Sequence, residues 1–459
     1  MDIQLADQAY VQGADGGAEI ICKNMYPVRS PSYDGRGFEL LSCAGLNEFT
    51  SVTGNVRGLI AQDGLFNGDI FLVEDSNVCR VTSTGVKTII GTVPLTGDVT
   101  MAASRIELAI CVAPNLYTCD GTTITQVTDV DLPTSVTSVA YINQRFAITN
   151  DEDRLYWSAL LDGSSWDGLN FLTAESSPDA LVRVVSDGER LYAMGTTTTE
   201  HIGAVTNPSS ASGAFARVGS GVIKSGLAGK HAVAIDVDSK AMGFVGHNRI
   251  VYVTTGYEVQ EISTPFINAE LDKASDANIA ATRCFAYSEQ GDTFFIVNVP
   301  SIGTFAYSKK LNKWHMRDTL SETNWRAELH VLAWGKNYVA DTGSRKIWEM
   351  SRDILTDDGL EISKEFSGFI PVRQNGSFGE LVLDAFASDD CKVGMRFSDN
   401  GREWSSYVDR DVTSPDMDCV TVWRRLGKST PPKRVFWFRI TDEAKIVVRG
   451  LRVNDGQLR

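Results

Sequence analysis

No apolar run in the 459 residues approaches the roughly 18 that a membrane-spanning helix needs. The opening Met1-Asp2-Ile3-Gln4-Leu5-Ala6-Asp7 lacks the basic and then apolar pattern of a secretory signal. A protein that stays in the cytoplasm where it is made, without membrane insertion, is therefore the expectation. Paired cysteines are missing too. Cys22, Cys43, Cys79, Cys111, Cys119, Cys284, Cys391 and Cys419 are scattered with no CxxC, which reads as buried thiols rather than a disulfide framework or zinc site. Histidine is scarce, and His201, His231, His247, His315 and His330 never stand at the i, i+4 spacing of a helical metal pair. No GxSxG nucleophile elbow occurs and no GxGxxG follows a strand-like run, so hydrolase and dinucleotide readings have no anchor. Gly427-Lys428-Ser429 resembles the tail of a phosphate-binding loop. However, Val422 stands where the first glycine belongs, and Pro431-Pro432 forbids the helix that must follow. Neither catalysis nor a metal or other cofactor is expected.

Helical periodicity is nearly absent as well, and what replaces it is short alternating runs of Val, Ile, Tyr, Phe and Thr between Gly, Asp and Asn clusters. A two-strand phrase recurs seven times. Ile70-Phe71-Leu72-Val73 leads to Val78-Cys79-Arg80-Val81, and Leu108-Ala109-Ile110-Cys111 to Leu116-Tyr117-Thr118. Phe146 to Thr149 precedes Leu155-Tyr156-Trp157, and Arg190 to Ala193 precedes Glu200-His201-Ile202. Ile250 to Val253 precedes Val259 to Ile262, Phe294 to Val297 precedes Thr304 to Tyr307, and Tyr338-Val339-Ala340 precedes Lys346 to Glu349. A period of about 40 residues is that of a four-stranded propeller blade. The fold expected is all-β: a propeller of about seven blades over residues 55–355, followed by a C-terminal β-sandwich over 356–459. Residues 1–54 read as an arm contributing strands. A set of β-sandwiches is the rival architecture.

Charge is unevenly spread. The chain is −15 overall, whereas residues 366–459 hold 15 Lys+Arg against 13 Asp+Glu and are net positive. An acidic body disfavours gripping nucleic acid. The basic residues Arg424, Arg425, Lys428, Lys433 and Arg434 lie among Trp423, Phe436 and Trp437. Such interleaving suits nucleic acid or, the reading preferred for an acidic chain, an interface with another subunit. Ser398-Asp399-Asn400-Gly401-Arg402-Glu403-Trp404 is similar to the Asp-box hairpin of sialidase propellers, with Ser one residue too close to Asp and a single copy. In that family the box is structural, and a glycan-degrading propeller enzyme is the rival function from another class.

Several stretches in order resemble the packaged-DNA stabilisation, or tail hub, proteins of short-tailed bacteriophages. They are Asn24-Met25-Tyr26-Pro27, Leu40 to Leu46 with Phe49, and Arg57-Gly58; then Ala174 to Asp179, Gly195 to Glu200, Arg217 to Gly221, and Gly226. Arg249 to Gly256 with Glu261 to Thr264, Phe285-Ala286-Tyr287 with Gly291, Tyr307 with Trp314, and Trp423 to Gly427 with Arg434-Val435-Phe436 complete the set. Where that family tends to have Pro, this chain has Ala44. The resemblance implies a structural virion protein of the tail. It would form a six-fold ring that joins the portal or its adaptor to the tail, closes the DNA channel and anchors fibres or spikes and a needle or plug. DNA would pass through without sequence-specific binding, eased by an acidic wall. A distal nozzle or a receptor-binding propeller is the alternative place in the tail.

Overall fold

A computed structural model describes residues 2–5, 10–11, 19–30, 37–174, 179–206, 208–236, 239–256, 258–372, 376–412 and 417–455. Among these residues seven blades of four antiparallel strands stand in a ring. Their first strands are Val56–Ile60, Val99–Ala103, Ser138–Ile142, Leu181–Ser186, Val233–Asp236, Arg283–Glu289 and Leu329–Ala333. These strands pack side by side around a central tunnel, and the first lies against the last, closing the circle.

The second strands explain why the sequence reads as short continuous apolar runs. Ile70–Glu74, Leu108–Val112 and Arg145–Thr149 are buried at every position, because each blade is covered on both faces by its neighbours. In the third, sixth and seventh blades a two-residue hairpin joins the first strand to the second. Asn143 with Gln144, Gln290 with Gly291, and Trp334 with Gly335 all have positive φ at both central residues, the primed geometry that matches strand twist. Six of the seven repeated phrases are the second and third strands of a blade. In the fifth blade the phrase falls on the third and fourth strands, its second strand being Ala241–Val245. A Cβ on Gly243 would lie 2.7 Å from the Phe295 ring of the next blade.

The last blade takes its fourth strand from the far end of the chain. Gly45–Ser51 pairs antiparallel with Lys346–Ser351, Glu349 facing Asn47. Beyond the propeller, two sheets sandwich a core in which Phe366 stacks on Phe438 at 4.7 Å, with Leu381, Leu383, Met395 and Trp423 around them. Strand Asp2–Leu5 pairs with one sheet through Ile3 and Leu451 and with the other through Leu5 and Gly368. The sandwich and the sixth blade share one sheet. Cys22–Lys23 lies between Lys313–Arg317 of that blade and Lys364–Pro371 of the sandwich.

Two helices depart from the expected pattern. Pro265–Lys273 and Asp276–Ala280 stand between the fifth and sixth blades, capped by the hydroxyls of Thr264 and Ser275. Nine and five residues are too few to raise a periodic signal over the surrounding strands. Arg249 ends the longer one, its guanidinium donating to the carbonyls of Leu271, Asp272 and Ala274 and pairing with Asp276 at 2.6 Å. No helix among the described residues is long and apolar enough to cross a membrane.

Candidate functional site

The basic cluster divides into a surface and a support. Arg424 ends the strand Met417–Arg424 and is 70% exposed, paired with Glu380 at 2.6 Å. Arg425, at φ 62, and Lys428 are exposed beside it. Lys433 is half-buried, and burial pulls its ammonium below the ordinary lysine value. Arg434 is not on the surface at all. It is 1% exposed, forks onto Asp399 through Nε to Oδ1 at 2.6 Å and Nη2 to Oδ2 at 2.8 Å, and donates to the carbonyls of Leu426 and Lys428. Its guanidinium lies 4.3 Å from the centre of the Phe397 ring. The expectation that Arg434 faces a partner is corrected by this burial. The strand Lys433–Ile440, buried from Arg434 through Phe438, carries it inward, where it fixes the loop that displays Arg425 and Lys428.

The Asp-box-like hairpin has the same supporting character. Ser398 Oγ accepts from the Gly401 amide, Asn400 Oδ1 accepts from the amides of Arg402 and Glu403, and Trp404 meets Trp437 edge to face. Its aspartate, Asp399, is spent on Arg434 and on the Thr430 amide. Lys428-Ser429 is a short strand and not the start of a helix.

Stretches that carry the family resemblance meet at structural joints. Asp179 Oδ2 accepts from the amides of Thr197 and Thr198, while Gly226 packs where a Cβ would sit 2.3 Å from the backbone of Thr196 and Thr197. Arg217 pairs with Glu200 at 2.7 Å in the same blade. Residues 175–178 of that stretch lie outside the described residues. Asn24 ties three parts of the chain. Its amide nitrogen donates to Asp318 and to the Ser363 carbonyl, and its oxygen accepts from the Asp318 amide.

Sequence reasoning missed a second polar cluster, at one mouth of the tunnel. Asp98, Lys230, His231, Arg283 and Glu328 come together there. Each stands within a few residues of the start of a blade's first strand. That shared position is the signal that could have found them, once the blade register was known. Among the described residues no group of His, Cys, Asp and Glu could hold a metal ion.

The family model described as "Bacteriophage P22 Gp10, beta-propeller" matches residues 11–355. No curated protein sequence matches the chain. Among solved structures, the BBS1N chain in complex with ARL6DN is 11% identical, with 68% of this chain and 95% of that chain covered, at a TM-score of 0.45. A chain of the mitotic checkpoint complex gives 10% identity, 71% and 98% coverage and a TM-score of 0.44. The WD40 propeller domain of Doa1 gives 9%, 67% and 97%, and 0.41.

Proposed function

The chain belongs to the bacteriophage stabilisation β-propeller family, and from that premise we propose that it is a tail hub: a six-fold ring that joins the portal or its adaptor to the tail and closes the DNA channel. Family membership makes it a structural phage protein and a virion component, and it is the single observation that carries the reading. Work of this kind is done by contact. Large interfaces repeated by symmetry need no catalytic group.

The charge distribution supports head-to-tail contact between copies. Arg424, Arg425 and Lys428 form an exposed basic edge on a segment of net positive charge, while the rest of the chain is strongly acidic. A basic edge meeting the acidic flank of the next copy is a heterologous contact, which closes into a ring when the rotation allows. The same ring would anchor fibres or spikes and the needle or plug, and its acidic character would let DNA slide through.

DNA-filled heads lacking this chain provide the test. Heads that leak DNA and become nuclease-sensitive, and are protected by added purified protein, establish the channel-closing hub. Heads that stay sealed without it, with the protein found only at the far end of the tail, overturn that role in favour of a distal nozzle or receptor-binding propeller.

A further inference from the structure

At the end of the tunnel where the first strands begin, the blades leave a cavity of about 440 Å³. This is the volume of a small-molecule site and not of a passage for duplex DNA. Asp98 enters it from the second blade, Lys230 and His231 from the fifth, Arg283 from the sixth and Glu328 from the seventh. Arg183 of the fourth blade stands next to this wall, lining the adjoining cavity, its Nη1 donating to the Lys230 carbonyl at 2.8 Å.

The charges here are badly matched. Lys230 Nζ stands 3.3 Å from Asp98, Arg283 Nε 3.5 Å from Glu328, and His231 Nε2 3.7 Å from Asp98, beyond hydrogen-bond length. Arg183 Nε and Arg283 Nη1 are buried with no hydrogen-bond partner among the described residues. Buried guanidinium donors are rarely left so, because the desolvation they suffer is not offset. Burial, and after it the Arg283 charge, pulls the Arg183 guanidinium down to about 10. Burial holds the His231 ring down at about 4, so it adds no charge at neutral pH. Arg183, Arg283 and Lys230 then stand beside Asp98 and Glu328, with Asp341 close enough to Glu328 to raise it; both guanidiniums keep idle N–H donors, and Glu328 Oε2 lacks a hydrogen-bond partner among the described residues too.

We propose that this tunnel mouth binds one small oxyanion, a phosphate or a carboxylate, between the guanidiniums of Arg183 and Arg283 with Lys230 at its edge. Planar guanidiniums present paired N–H donors at the spacing of two oxyanion oxygens, which an ammonium or a spherical halide cannot match. The bound ion would tie together the fourth, fifth and sixth blades. A ligand that binds only the closed ring stabilises it in proportion to its occupancy.

The test is titration of the purified full-length chain with inorganic phosphate and, separately, with acetate, at constant ionic strength set with sodium chloride. Heat of binding and melting temperature are followed together. The expected result is a saturable rise in melting temperature with one of the two probes, the responding probe naming the oxyanion. Arg283→Gln should weaken that binding at least tenfold, while Lys310→Gln, exposed and outside the tunnel, leaves it unchanged. Arg183→Lys, which keeps the charge and removes the fork, should also weaken it and serves if Arg283→Gln does not fold. Absence of saturable binding with both probes, or equal binding by wild type and the tunnel variants, overturns the proposal.

Discussion

Arg424 and Arg434 stand on one basic stretch and do opposite work. Removing Arg434 strands Asp399 and two carbonyls, so Arg434→Ala should cost on the order of 3 kcal/mol in urea unfolding of the monomer. Reversing Arg424 and Arg425 to Glu should change monomer stability by less than about 1 kcal/mol, since Arg424 is exposed and its pair with Glu380 is screened. The same reversal should impair ring assembly or docking onto heads, scored by electron microscopy. A fall in monomer melting temperature with assembly intact would refute that assignment. His315 offers a different residue-scale prediction. It is fully buried against Tyr26 and Phe294, neither ring nitrogen has a hydrogen-bond partner among the described residues, and burial, with Arg317 adding to it, holds the imidazole down at about 3. Unfolded, it titrates near 6.5. Between those values the unfolded chain binds a proton that the native chain does not, so stability held above pH 6.5 is lost as pH falls toward 3. Glu289 and Glu328, raised by burial, bind protons in the native state first and oppose this slope over the acidic part of the range. His315→Phe should leave stability at pH 7 unchanged or higher and flatten the decline by up to about 1.4 kcal/mol per pH unit. Urea midpoints from pH 4 to 7 measure it, and an unchanged slope sinks the claim.

At the scale of elements, the closing strand is the point on which the ring depends. Gly45 begins it, and a Cβ there would lie 2.4 Å from the carbonyl oxygens of both Ile354 and Thr356. These are backbone atoms that cannot swing aside. Gly45→Ala should therefore cost about 1–3 kcal/mol and raise the rate of proteolysis at the last blade, whereas Gly343→Ala, with open space around it, should be neutral. Equal effects of the two would show that the closing strand tolerates displacement. The same elements mark how far the sequence could be read. Apolar second strands such as Ile70–Glu74 announce themselves, because burial on both faces writes a local run of residues. The pairing of Gly45–Ser51 with Lys346–Ser351 is not local, and nothing in either segment names the other. The helix Pro265–Lys273 is brief, and its clearest mark, the Thr264-Pro265 cap, sits directly after a strand-rich stretch. In the basic cluster, composition alone picks out five cations but not the inward turn of Arg434, whose partner lies 35 positions earlier. The tunnel mouth is hidden most completely, since each blade supplies only one or two of its groups.

On the whole molecule, Lys23 decides whether propeller and sandwich behave as one body. It joins Asp318 of the propeller and Glu365 of the sandwich at 2.9 Å each, on the short strand that makes their sheets continuous. Burial alone would lower its ammonium, but Glu365 and Asp318 outweigh that and raise it above the ordinary lysine value. In the proposed role load would pass from one part to the other, and a shared sheet carries it without a hinge. The wild-type chain should accordingly unfold in a single calorimetric transition. In Lys23→Ala, two half-buried carboxylates face the same gap with no cation, and like charges at a shared site favour proton uptake. The variant should show separate propeller and sandwich transitions at pH 8 that draw together near pH 5, as one carboxylate takes a proton and the repulsion falls. A single transition in the variant at both pH values would mean that backbone pairing through Cys22–Lys23 couples the two parts by itself and that the ion pairs contribute nothing to it.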